Sequence, residues 1–323
     1  MPRSQMGRSL ETLSAARRYA TVCFLQGDYR QAMDANRRAM ALLEGAQRYE
    51  RFGEPVLPAV RCRTYLSLSL AEVGAFAEGI AVGEEGLHIA EAVQHPVSLV
   101  EAYRSVGLPY LRQGNLSQAL PVLERARSLC EEADLPFYFP LVAGALGAAY
   151  GLCGRVDEAV LLLTQVLEQT MTTMTGPRAF LSLSLGEAQL WAGHLEEAQE
   201  LAERTLALAR ERQERGHEAY ALRLLGDIAA RREPPASDEA EVHYHQALAL
   251  AEELGMRPLQ AHCHRGLGTL YAMTDQREQA RTALSTAIEM YRAMDMTFWL
   301  PQTGESLAQV DARRPWEGRR VAP

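Results

Sequence analysis

Small residues recur at a nearly fixed interval along this chain, inside stretches whose apolar positions have helical spacing. One set follows a short turn at Ala32, Gly79, Ala119, Ala159, Ala198, Ala240 and Ala280, with spacings of 47, 40, 40, 39, 42 and 40 residues. A second small residue precedes most of these positions by twelve residues, as Gly107 precedes Ala119. A period near 40 with two helical segments per unit predicts seven stacked helix pairs, that is, a helical-repeat solenoid.

The turn inside each unit has its own predicted chemistry. A glycine such as Gly114 or Gly154 ends the first helix, because glycine enters the left-handed conformation without a Cβ clash. Acidic residues such as Asp157 and Glu158 then begin the second helix, at the positive end of its dipole. The sixth unit departs from this pattern, since residues 231–235 include two prolines and no glycine.

These patterns divide the chain into four predicted segments. The solenoid spans residues 13–293, and a helix at residues 294–310 covers the apolar face of the last repeat as a cap. Residues 1–12 and the basic tail, residues 311–323, are predicted to be disordered. The expected architecture is an all-α, right-handed superhelix.

Composition narrows the classes of partner. The 323 residues are 47% hydrophobic, too apolar for a disordered chain, and the net charge of -8 argues against a nucleic-acid partner.

Residues 135–154 carry no charge, but two prolines interrupt them and they keep the register of the repeat. They predict a buried core helix rather than a membrane span. Five cysteines without a C-x-x-C pair indicate reduced thiols and a cytoplasmic protein.

The motif Leu-Gly-x-x-Tyr, followed by a turn and two spaced alanines, resembles the tetratricopeptide repeat. Repeats three, four and seven carry it best, as in the seventh at Leu267-Gly268, Tyr271, Ala280 and Ala287. The resemblance extends over residues 13–295, although the period is 40 rather than 34 and the tryptophan of the first helix is missing. Units of this length look like the sensor solenoids of large bacterial signalling ATPases.

A narrower resemblance lies near the carboxyl end of the chain. Residues 247–259, 262–264 and 298–301 resemble the end of bacterial proteins that join a nucleotide-cyclase domain, an ATPase and tetratricopeptide repeats. This resemblance implies a sensor arm or a free-standing relative that acts with a cyclase or ATPase domain in cis or in trans. The chain has no phosphate-binding G-x-x-x-x-G-K-[ST] motif, so no ATPase activity is carried over.

The resemblance places the first helix of each repeat on the concave side and so predicts a partner-binding groove. Seven arginines and four carboxylates face inward by register, a balance of about +3 on an acidic chain. Apolar residues fill the middle, which predicts a protein partner that presents an amphipathic or extended acidic segment. Alternatively, the same residues pack against neighbouring helices or a domain in cis. The predicted groove residues are Arg17, Arg104, Arg112, Phe180, Leu183, Glu187, Trp191, Tyr220, Arg223, Asp227 and Arg265.

The sequence alone leaves two other functions open. A closed superhelix could hold a small molecule near Phe180 and Trp191, which would make the chain a small-molecule sensor. The segments His243-Tyr244-His245 and His262-Cys263-His264 are the only support for a metal-dependent enzyme, and residues two apart on a helix point too far apart to chelate together. Because no catalytic motif occurs, we expect no enzyme activity, no cofactor and no membrane contact.

Overall fold

The computed structural model describes residues 3–173 and 178–312, which form seven helix pairs followed by a short helix. The first helices of the pairs are α1 Arg3–Leu25, α3 Pro58–Glu72, α5 Pro96–Gln113, α7 Phe139–Leu152, α9 Arg178–Ala192, α11 Arg215–Arg231 and α13 Arg257–Met273. The second helices are α2 Tyr29–Ala41, α4 Phe76–Val93, α6 Leu116–Glu132, α8 Val156–Thr173, α10 Leu195–Arg212, α12 Ser237–Glu253 and α14 Arg277–Ala293. The predicted all-α solenoid of seven repeats is confirmed.

Helix pairs touch closely where the sequence places small residues in the first helix. A Cβ added at Gly107 would lie 2.6 Å from Leu123 Cδ2, and one at Gly268 would lie 2.6 Å from Leu284 Cγ. Glycine costs about 1 kcal/mol against alanine inside a helix. Its recurrence is therefore explained by the approach of the second helix.

The predicted turn conformation is also observed. Gly114 has φ of 83° and Gly154 has φ of 78°, both in the left-handed region. A second series of left-handed residues, which the sequence did not indicate, lies between repeats. It includes Gln94, Asp134, Gln213, Gly255 and Asp295, four of which are not glycine. The chain thus reverses in the left-handed conformation both within and between repeats.

The structure corrects the predicted disorder of residues 1–12. Helix α1 already begins at Arg3, so residues 3–12 are helical. The physical reason is continuity: Pro2 stands before the helix, and no proline interrupts it before Leu25. Residues 1–2 and the part of the predicted basic tail at residues 313–323 lie outside the described residues.

The predicted cap consists of a 3-10 turn, Thr297–Trp299, and helix α15, Leu300–Ala312. Val310 is buried in the same cluster as Leu267 and Leu284, so α15 packs on the last repeat. The 3-10 turn has a different role, because Phe298 and Trp299 lie against the turn of the third repeat at Gly114.

The first repeats and the last repeats contact each other, so the superhelix closes on itself. Tyr29 of the first repeat lies in one apolar cluster with Leu190 of α9 and Leu225 of α11. Ala71 and Phe76 of the second repeat share another cluster with residues that include Tyr291, Met294 and Trp299. These contacts enclose the concave side of the solenoid.

Within the described residues, none of the helices is long and apolar enough to cross a membrane. Helix α7, which contains most of the uncharged window, lies inside the solenoid with Val142, Leu146 and Ala149 buried.

Candidate functional site

The enclosed concave side contains a cavity of about 410 Å³. Its walls come from first helices α5, α7, α9, α11 and α13 and from the segment Phe298, Trp299 and Gln302. A volume of this size is typical of ligand-binding pockets, which span roughly 300–1,000 Å³. The cavity is therefore the candidate functional site.

One wall of the cavity is apolar and is formed by α7 and α9. It consists of Ala148, Gly151, Leu152, Leu190 and Trp191. The Trp191 ring packs directly over Gly151, where an added Cβ would lie 2.1 Å from Trp191 Cζ3. Gly151 thus allows the indole to approach α7 closely, and a larger residue would displace it.

Another part of the wall is polar and is formed mainly by α11. Residues 223, 227 and 231 are spaced four apart and share one helix face. Arg223 forms ion pairs with Glu187 and Asp227, and the Tyr244 hydroxyl donates to Asp227 Oδ1 at 2.6 Å. Arg223 is therefore neutralised within the chain.

A second polar cluster joins repeats that are far apart in sequence. Arg112 Nη2 lies 3.3 Å from Glu72 Oε1, and the Tyr220 hydroxyl donates to Glu72 Oε2 at 2.7 Å. The Arg112 guanidinium also stacks 4.3 Å from the centre of the Tyr220 ring. Burial, followed by the Glu72 charge, raises the pKa of Tyr220 well above its usual value, so its hydroxyl stays a donor. This cluster holds the second, third and sixth repeats together.

Aromatic side chains form the end of the cavity near α13. The centres of the His262 and Trp299 rings are 4.7 Å apart, and Trp299 stacks on Tyr291. His262 Nδ1 lies 2.8 Å from the Tyr291 hydroxyl oxygen. Burial and then the positive charges of Arg265, Arg223 and Arg112 hold the pKa of His262 well below its usual value. His262 is therefore neutral near pH 7.

Seven of the eleven predicted groove residues line this cavity: Arg112, Glu187, Trp191, Tyr220, Arg223, Asp227 and Arg265. The other four lie elsewhere. Arg17 pairs with Glu54 at 3.2 Å, and Arg104 pairs with the buried Glu101 at 3.1 Å. Phe180 packs on Gly144, and Leu183 is buried in the apolar core.

The histidines that suggested a metal site point to separate partners. His262 lies in the cavity, His243 is near Glu239, and His245 is within 3.2 Å of the Tyr271 hydroxyl. Burial raises the pKa of Cys263 to about 12, which keeps it a thiol. Across residues 3–173 and 178–312, no three histidine, cysteine or carboxylate side chains are placed to share a metal ion.

Sequence reasoning did not find the contribution of the carboxyl end to the cavity. Phe298, Trp299 and Gln302 line it, although the pattern placed them in a cap. Two adjacent aromatic residues at the start of an otherwise amphipathic cap were the available signal. Their contact with the turn of the third repeat depends on closure of the superhelix, so the neighbouring sequence does not predict it.

Residues 237–293, which comprise helices α12, α13 and α14, match the family model described as tetratricopeptide repeat. The fold is a tetratricopeptide-repeat solenoid. Among curated proteins, none matches the sequence. The family match and the geometry agree on the repeat.

Solved structures show the same tetratricopeptide-repeat fold over most of the chain. A Rap protein in complex with competence and sporulation factor is 14% identical, with a TM-score of 0.62 over 93% of this chain and 85% of that chain. The Rap conjugation gene regulator of plasmid pLS20, in complex with the Phr* peptide, is 15% identical, with a TM-score of 0.66 and coverages of 92% and 79%. A signal-transduction ATPase with a tetratricopeptide-repeat sensor, from Pyrococcus horikoshii, is 15% identical, with a TM-score of 0.52. The match covers 86% of this chain and 43% of that chain.

Proposed function

We propose that this protein is a non-catalytic recognition solenoid that binds a segment of a partner protein or a peptide in the cavity. The observation that carries the proposal is the cavity itself, whose lining combines the apolar side chains of Trp191 and Leu152 with arginines of α11 and α13. Apolar walls with a few convergent polar groups are typical of ligand sites. The similar Rap structures with a bound factor or peptide support this assignment.

The cavity volume favours an extended segment over a helix. An α-helix with its side chains is about 10–12 Å in diameter, so about 410 Å³ holds roughly one turn or less. A segment this short is not stable as a helix, because the first helical turn is costly to nucleate. Of the two segment types that the sequence suggested, the extended acidic one is therefore the better fit.

A role as a sensor arm is consistent with the position of the carboxyl end. Phe298 and Trp299 line the cavity and also contact the turn at Gly114. A ligand that touches these rings would stabilise the closed superhelix over an opened one, because a ligand shifts an equilibrium by its difference in affinity for the two states. A partner or attached domain of the cyclase or ATPase type could respond to that shift.

The test is selection of a random decapeptide library on the purified protein, with Leu152→Trp as the counter-selected variant. Leu152 lines the cavity, so the larger indole reduces its volume. Leu161→Trp is the matched control, because Leu161 is 61% exposed on α8. We expect enriched peptides that bind the wild type and Leu161→Trp but lose affinity for Leu152→Trp. Peptides that bind all three proteins equally, or no enrichment at all, would contradict the proposal.

A second candidate function is sensing of a small molecule, and the cavity volume favours it, since it lies within the range of small-ligand pockets. Thermal-shift measurements with a panel of cellular metabolites test this candidate. A stabilising metabolite whose effect disappears in Leu152→Trp would support it. Stabilisation that persists in that variant would place the binding elsewhere.

A further inference from the structure

The arginines of the concave surface are not equally available to a ligand. Five of the seven form ion pairs with carboxylates of the chain; these are Arg17, Arg61, Arg104, Arg112 and Arg223. Arg231 and Arg265 have no carboxylate within 4.0 Å among the residues that the structure describes. Arg231 donates to the carbonyl oxygen of Leu190 at 3.1 Å. The guanidinium of Arg265 is therefore the principal cation left for a ligand.

The charge balance of the cavity shows the same excess. Its lining contains four arginines, namely Arg112, Arg223, Arg231 and Arg265, but only two carboxylates, Glu187 and Asp227. Both carboxylates are already bound to Arg223. Even with Glu72 counted against Arg112, the wall retains net positive charge. An anionic ligand group would complete this balance, whereas a cationic one would be repelled.

The surroundings of Arg265 strengthen its attraction for an anion. Next to it, His262 is neutral because of burial and the neighbouring arginine charges, which also indicates positive potential at this point. Arg265 is itself partly buried, so its charge is less screened by water than one at the surface. A carboxylate can accept two parallel hydrogen bonds from one guanidinium, which makes this pair both strong and directional.

The polar and apolar walls would act on the same ligand. The solenoid order runs from α7 and α9, which carry Leu152, Leu190 and Trp191, to α11 and α13, which carry Arg231 and Arg265. A ligand that spans the cavity would therefore place apolar atoms on one side and an anion on the other. A short extended peptide with an apolar side chain next to a carboxylate has this chemistry.

We infer that Arg265 is the binding site for a carboxylate of the peptide segment that enters the cavity, with an apolar side chain of the same segment on Trp191. This inference rests on the proposed function. The carboxylate has two sources, the free carboxyl terminus of a peptide or an aspartate or glutamate side chain within it. Both sources supply the same two oxygens to the guanidinium.

The probe is a random hexapeptide library attached through its amino terminus and made in two forms, with a free carboxyl terminus and with a carboxyl-terminal amide. Enrichment of the free-acid form alone indicates the terminal carboxylate, and aspartate or glutamate enrichment in both forms indicates a side chain. Enriched peptides should bind Arg265→Gln about ten- to hundredfold more weakly, the loss expected for hydrogen bonds to a charged group. Arg292→Gln is the matched control, since Arg292 is exposed on α14 and its change alters net charge equally.

Each outcome separates this inference from the proposed function. Peptides that bind the wild type, lose affinity for Leu152→Trp and show neither acidic enrichment nor sensitivity to Arg265→Gln would overturn the carboxylate site and leave the peptide-binding cavity intact. Failure of both library forms to enrich on the wild type would remove the proposed function as well. Equal weakening by Arg265→Gln and Arg292→Gln would show a general charge effect and would also overturn the site.

Discussion

An alanine at Gly114 probes the contact that closes the superhelix. Gly114 and Gly154 occupy equivalent turns with φ of 83° and 78°, so alanine at either position carries the same left-handed cost of about 1–2 kcal/mol. Their surroundings differ. A Cβ at Gly114 would lie 2.6 Å from Phe298 Cβ and 2.7 Å from Trp299 Cζ3, whereas a Cβ at Gly154 would meet nothing within 4 Å. Gly114→Ala should therefore also weaken the closing contact, by about 1–3 kcal/mol for overpacking.

Hydrogen exchange measured by mass spectrometry resolves this difference along the chain. A loss of about 1–3 kcal/mol in local opening free energy speeds exchange by about five- to 150-fold. We expect this acceleration in peptides that cover residues 294–312 of Gly114→Ala. Gly154→Ala should accelerate exchange only around its own turn. Equal exchange of residues 294–312 in the two variants would show that Phe298 and Trp299 are not held by the third repeat.

Three further predictions address the polar clusters. Tyr220→Phe removes the hydrogen bond to Glu72 and should lower the free energy of unfolding in urea by about 2 kcal/mol, less if Glu72 is already changed to Gln. Glu101→Gln leaves two arginines without their buried carboxylate and should cost about 3 kcal/mol by the same assay, whereas Glu85→Gln, at a carboxylate that is 62% exposed, should cost under about 1 kcal/mol. Because the pKa of His262 is lowered on folding, the unfolded chain binds a proton that the folded chain does not, and stability falls below about pH 6.5, by at most about 1.4 kcal/mol per pH unit. His262→Gln should flatten that pH dependence in thermal unfolding at pH 5.5 to 7.5, and an unchanged slope would refute this origin.

Short-range patterns in the sequence were sufficient to predict the repeat. Glycines such as Gly114 occupy the one position of the turn where the backbone is left-handed. The close contact between the two helices of a pair, as between Gly107 and Leu123, recurs along the chain. Such short-range patterns predict the seven pairs and their register. The start of α1 at Arg3 was missed because the first residues have no repeat partner to set their register.

The ion pairs of the inward-facing residues could not be predicted from such short-range patterns. The sequence placed Arg223 and Arg104 in a groove expected to bind an acidic segment, but each is already neutralised within the chain, Arg223 by Glu187 and Asp227 and Arg104 by Glu101. Those pairings depend on how neighbouring first helices are rotated, which the period does not specify. The contact of Tyr220 with Glu72, 148 residues away, depends on closure of the whole superhelix.

The position of a bound peptide is the most direct test of the recognition cavity. Photo-cross-linking with p-benzoylphenylalanine at Gln302, an exposed residue of the cavity wall, reports contact without filling the apolar interior. The same group at Leu161 on α8 is the control. With an enriched peptide, the account predicts cross-links from position 302 that excess unlabelled peptide abolishes, and none from position 161. Cross-links from position 161 alone, or equally from both positions, would contradict binding in the cavity.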